Sequence, residues 1–179
     1  MAKLAFPKSD LFRDIFSQSE DHNPIRGELY SVERLEQFAA ILAHEHQTVD
    51  YPKRFQKLRP RLEDNRAVLV AAYYSLTNAI RDDRSVSQAA EWLVDNFHIV
   101  EEQLREIRED LPSGYYRELP KLANTVMAGY PRIYALSIEF IAHTDSRLDT
   151  ETLTRFIRAY QRTAPLKIGE LWAVAITLR

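Results

Sequence analysis

Asp95, His98 and Glu102 follow one another at intervals of three and four residues. On a helix that spacing puts all three side chains on one face. A carboxylate–imidazole–carboxylate row of this kind could relay a proton or contribute to holding a metal ion. A solvated helix produces the same pattern with no function attached, and here that is the simpler reading. Arg105 stands four residues after Glu101 and four before Glu109, and exposed pairs of that sort contribute only about 0.3–0.5 kcal/mol each. A second group is aromatic. Tyr115, Tyr116 and Arg117 follow Pro112-Ser113-Gly114, with Trp92 upstream and Tyr130 and Tyr134 downstream. Tyrosine and tryptophan present a flat apolar face with a polar handle, which suits a sugar ring or a partner protein and equally suits the edge of a core. Trp92, Tyr115, Tyr116 and Arg117 are therefore the candidate contact residues, and Asp95, His98 and Glu102 the candidate polar row.

Other combinations are weaker. His44 and His46 suggest a metal pair, but two residues apart on a helix they diverge by about 200° and cannot share one ion. Glu101, Glu102, Glu106, Glu109 and Asp110 are dense acid, yet glycosidic cleavage needs carboxyls facing each other across a cleft. One helix face does not supply that. There is no phosphate-cradling glycine loop, no GxSxG, no HExxH and no paired-cysteine motif. No catalytic residue, metal ligand or cofactor site is assigned.

The elements that must position these groups are helical. Leu93, Phe97, Val100, Leu104, Ile107 and Leu111 recur at intervals of four and three, which predicts one long amphipathic helix. Ser85 and Gln88 form a capping box at its start, and Pro112–Gly114 end it. Ser31 is expected to cap a helix to about Gln47, with Leu35, Phe38 and Leu42 on its buried face. Further helices are expected from Pro60 to Arg81, from Pro131 to about His143, and from the Asp149 cap to a stop before Pro165. Residues 1–30 read as irregular, apart from one amphipathic turn at Leu11, Ile15 and Phe16. The expected fold is all-α: one bundle-like domain over 31–179, of about seven helices packed around the Leu93–Leu111 helix.

The last helix, Ile168–Leu178, is apolar almost all round, the pattern of a buried element. It has no stop signal before Arg179 and reads as the end of a piece taken from a longer polypeptide. It is expected to fold back on the Leu93–Leu111 helix or to pair with a second copy. Composition narrows the field further. The 179 residues include four glycines and no cysteine, which disfavours a β-sandwich or dinucleotide-binding fold and excludes disulfides and thiolate metal sites. A net charge of −2 carries no nucleic-acid footprint. No run approaches the roughly 18 apolar residues of a membrane span.

Four blocks together carry a resemblance. They are GELYSVERLEQFA (Gly27–Ala39), AAEWLVDNFHIVEEQLREIREDLPSGYYRELPKL (Ala89–Leu122), AGYPRIYALSIEFIAHTDSRLD (Ala128–Asp149) and FIRAYQRTAPLKIGELWAV (Phe156–Val174). In wording and order they resemble the amino-terminal region of the cyclic β-1,2-glucan synthases, large bacterial membrane glycosyltransferases. The resemblance implies a multidomain parent with a membrane-embedded, UDP-glucose-dependent transferase, a cyclisation region and a phosphorylase-like domain. The transferase's acidic and processivity motifs are absent from this sequence, so no catalytic residue is carried over. What the resemblance implies is a soluble, cytoplasmic accessory region of an inner-membrane protein. Its partners would be the rest of the parent enzyme and the β-1,2-glucan itself, touched at Trp92, Tyr115, Tyr116 and Arg117. The alternative is a regulatory or oligomerisation module that binds protein only, through the terminal helix.

Overall fold

The structure, a computed structural model, describes residues 27–52 and 55–179. The irregular segment expected over 1–30 is seen only at 27–30, which is non-helical; the turn at Leu11, Ile15 and Phe16 lies outside the described residues. Among the described residues the fold is all-α, with eight helices and one pair of two-residue strands. In chain order these are α1 (Val32–Glu45), β1 (Thr48–Val49), α2 (Leu58–Arg81), α3 (Gln88–Asp95) and α4 (Phe97–Asp110). There follow α5 (Ser113–Glu118), β2 (Lys121–Leu122), α6 (Arg132–Thr144), α7 (Thr150–Gln161) and α8 (Ile168–Leu178). They gather into two compact units, one of the described residues 27–52, 55 and 117–178, the other of 56–116 with Arg179.

In the first unit, local signals set the helix starts. The Ser31 hydroxyl accepts from Arg34 N at 3.3 Å. Asp149 accepts from both the backbone N (2.7 Å) and the hydroxyl (2.6 Å) of Thr152. Each satisfies a donor that a helix start leaves without an intrahelical partner. Packing pairs α1 with α7 and α6 with α8. Helix α6 is the centre, with ten of its 13 residues buried. That is the expected place for a helix apolar on every side. Phe140 lies with its ring centroid 5.4 Å from that of Phe156. The strands pair antiparallel, Thr48 with Leu122 and Val49 with Lys121. Beyond β2 the chain reverses at Gly129, whose φ of 89° is a left-handed conformation suited to glycine. Gly129 N donates to Leu122 O (2.8 Å) and Leu122 N to Tyr130 O (2.9 Å), which delivers the chain to the start of α6.

In the second unit, the Leu93–Leu111 stripe is helical but divided. It forms α3 and α4, with Asn96 between them at φ −112°, ψ 20°. The Asn96 side-chain amide donates to Trp92 O at 2.8 Å, and its backbone N donates to the same carbonyl at 3.0 Å. A short polar side chain competing for backbone partners in this way favours a helix end over a helix interior. The first of the two helices starts later than the capping box predicted. Ser87 is its cap, accepting from Ala90 N at 3.2 Å. Arg108 on α4 grips Glu63 on α2 with two bonds, of 2.9 and 2.6 Å. The unit buries Phe97, Leu104 and Tyr116, so the stripe serves a small satellite core, while the larger core surrounds α6.

The terminal helix also departs from expectation. It packs on α6 within its own unit, and only Glu170 and Ala173 are fully buried. Ile168 and Trp172 are each 70% exposed. No helix among the described residues is long and apolar enough to cross a membrane.

Candidate functional site

The second unit carries a groove of about 450 Å³ between α2 and the α3–α4 pair. One wall is α2, which contributes Arg66, Val70, Tyr73 and Tyr74. These residues lie four, three and one apart, so a single helix face presents them. The other wall runs across the Asn96 break and contributes Asp95, His98 and Glu101 above Val94 and Phe97. Tyr73 stacks on Phe97 with ring centroids 4.3 Å apart and planes 19° apart. Tyr74 meets Tyr73 edge-on at 5.5 Å and is 62% exposed. A fixed aromatic floor thus supports one ring that is open to solvent.

The polar heads around that ring are uncommitted. Among the described residues, no side-chain hydrogen bond or ion pair engages Arg66, Asp95, His98 or Glu101. Nearby acids and bases outside the groove do pair: Arg108 with Glu63, and Arg105 with Glu102 at 3.4 Å. Both groove carboxylates stand on the α3–α4 wall, while the opposite wall offers a guanidinium and two tyrosines. Hydrolysis by a carboxylate pair requires the two groups on either side of the scissile bond, and this arrangement does not place them so. Among the described residues no cluster of His, Cys, Asp or Glu is arranged to hold a metal.

The strongest electrostatics lie elsewhere, inside the first unit. Arg132 forms a buried two-bond pair with Glu170, Nε to Oε1 at 2.9 Å and Nη2 to Oε2 at 2.5 Å. Glu170 also accepts from Lys167 N at 2.9 Å, and Arg132 donates to Pro165 O at 3.1 Å. Burial works against the charged guanidinium, but the hydrogen bond and charge of Glu170 hold its pKa above the usual value. Tyr160, fully buried, has its hydroxyl 3.1 Å from His46 Nδ1. Burial raises the Tyr160 pKa to about 12. Burial, helped by the Arg132 charge, lowers that of His46 to about 4. Lys121 is fully buried and donates to Leu119 O at 2.5 Å; burial lowers its pKa to about 8, against the opposing pull of Glu170. The Arg132–Glu170 pair, with the bonds to Pro165 O and from Lys167 N, fastens α8 and the segment before it to α6.

No family model matches the chain. Cyclic beta-(1,2)-glucan synthase NdvB of Rhizobium meliloti (strain 1021) is 36% identical to it over 176 residues, which is 96% of this chain and 6% of that protein. The chain is a region of the cyclic β-1,2-glucan synthase family. It spans only a small part of the length of the relative it matches.

In this chain, the residues predicted from sequence part company. Asp95 and His98 both line the groove. Glu102 turns to Arg105 instead. Trp92 is exposed on α3, outside the groove lining. Tyr115 is half-buried, and Tyr116 is buried with its hydroxyl donating to Gln56 O at 2.6 Å. Arg117 is exposed and belongs to the other unit. Sequence reasoning singled out none of Arg66, Tyr73 and Tyr74 as a candidate contact residue. The tandem Tyr73-Tyr74 with Arg66 two turns earlier was the available signal, but it acquires meaning only when α2 lies against α3 and α4.

Proposed function

We propose that this chain is the amino-terminal accessory region of a cyclic β-1,2-glucan synthase, on the cytoplasmic side of the membrane, acting by contact and not by chemistry of its own. It positions other domains of the enzyme or touches the glucan they make. The observation that carries this reading is the composition of the groove: aromatic faces and uncommitted polar groups, with both carboxylates on one wall. Such a site can bind a polar ligand but lacks the opposed pair that glycosidic chemistry uses. The test is direct. The purified chain, incubated with UDP-glucose or with linear β-1,2-glucan, should neither transfer nor hydrolyse, and a synthase lacking this region should make less cyclic glucan. Turnover by the chain alone that disappears in Asp95→Asn would overturn the reading.

A second reading has its own observation. Ile168, Leu171 and Trp172, at i, i+3 and i+4 of α8, are all exposed, forming an apolar ridge of the kind that protein contacts cover. A module that binds only protein would use that ridge. Sedimentation across a concentration range would then show self-association that Trp172→Glu abolishes.

A further inference from the structure

Resting on the reading above, we propose that the groove between α2 and α3–α4 is a glucan subsite. Tyr74 is the platform for one glucose ring, and Arg66, Asp95 and Glu101 read its hydroxyls. A β-glucose ring carries its hydroxyls around the equator and leaves its two faces rich in C–H, so it lies flat on an aromatic face. Tyr74 offers such a face, 62% exposed. Its ring meets Tyr73 edge-on, and Tyr73 is itself stacked on Phe97. A volume of about 450 Å³ is within the range of sites that enclose small organic ligands, about 300–1,000 Å³.

The polar groups fit the ring's edge. A carboxylate has two acceptor oxygens and can take both hydroxyls of a vicinal diol, while a guanidinium fork can donate to both. Both kinds of group stand here without protein partners, the guanidinium on one wall and the carboxylates on the other. The linkage then matters. In a β-1,2-linked chain C1 and C2 are used, and every internal residue keeps its 3,4-diol. In a β-1,3-linked chain no internal residue keeps any vicinal diol. The groove chemistry therefore favours the first polymer over the second.

The test uses the 179-residue chain and isothermal titration with linear β-1,2-gluco-oligosaccharides, with β-1,3-gluco-oligosaccharides of equal length as the comparison. Saturable binding in the millimolar range or tighter is expected. Tyr74→Ala and Arg66→Ala should each weaken it about tenfold, equivalent to about 1.4 kcal/mol, and the β-1,3 series should bind weaker by at least a similar factor. Both side chains are exposed, so thermal unfolding should be unchanged in the variants. Trp92→Ala, outside the groove, should bind as the parent does. No saturable binding, binding that Tyr74→Ala leaves intact, or equal affinity for the two linkages would each overturn the subsite. The accessory reading fails separately, by turnover in the isolated chain or by normal glucan output from a synthase lacking this region.

Discussion

Replacing Glu170 by Gln should be among the most damaging single changes in the first unit, and a second substitution should undo much of the harm. Glu170 has no exposed side-chain surface, and the Arg132 side chain is 8% exposed. The carboxylate accepts two bonds from Arg132 and one from Lys167 N. Glutamine keeps the shape and one acceptor oxygen but removes the charge. That leaves the Arg132 guanidinium buried without its counter-ion and removes a charge that favours the charged form of Lys121. Breaking a buried pair from one side costs about 3–5 kcal/mol, because the remaining charge is neither solvated nor matched. Replacing both partners with apolar residues of similar volume removes that orphan, and exchanges of this kind are often neutral or stabilising. Arg132→Met/Glu170→Leu should therefore be more stable than Glu170→Gln alone. The chain has two tryptophans, Trp92 and Trp172. In a Trp92→Phe background, Trp172 reports urea unfolding from α8, within the unit that holds the pair. A loss below about 1 kcal/mol in Glu170→Gln, or a double variant that loses the sum of the two single changes, would refute the assignment of this pair as a charge-matched clamp.

Two further perturbations probe the same unit. His46 has its pKa lowered to about 4, so as pH falls the unfolded chain binds the proton first. The stability tied to this histidine is present in full above about pH 6.5 and is lost as pH falls through the folded value, on the order of 3 kcal/mol in all. Glu139, whose pKa is raised by burial, gives a slope of the opposite sign. The difference between the parent and His46→Gln, followed by urea unfolding from pH 7 to pH 4, isolates the histidine; parallel curves would contradict its burial as a neutral ring. Gly27→Ala should loosen the segment before α1. A Cβ there would stand 2.8 Å from His143 Cε1, while Gly27 N donates to Ala142 O (2.9 Å) and Tyr30 N to His143 O (3.1 Å). Overpacking of this kind costs about 1–3 kcal/mol, and faster amide exchange at Tyr30 would report it; unchanged exchange and stability would mean that His143 is not clamped there.

The sequence by itself determined what depends on neighbours a few residues away. The helical class, the Ser31 and Asp149 caps, the helix beginning after Pro131 and the family blocks were all legible, because a cap or a period of 3.6 is written within one or two turns of chain. Which helix is central was not. The Leu93–Leu111 stripe is a long amphipathic pattern, and an amphipathic helix has one face in water. The helix buried on every side, Arg132–Thr144, shows weaker periodicity because apolar residues surround it, and even its Arg132 is buried against a carboxylate 38 residues away. The same limit applies to the division at Asn96, where one side-chain amide outweighs a continuous apolar stripe. It applies also to the groove. Asp95 and His98 were visible as a pair, but Arg66 and Tyr74 stand on another helix, 29 and 21 residues before Asp95. Only the packing of α2 against α3 and α4 brings the four side chains around one space, since what faces them is decided by long-range burial and not by local spacing.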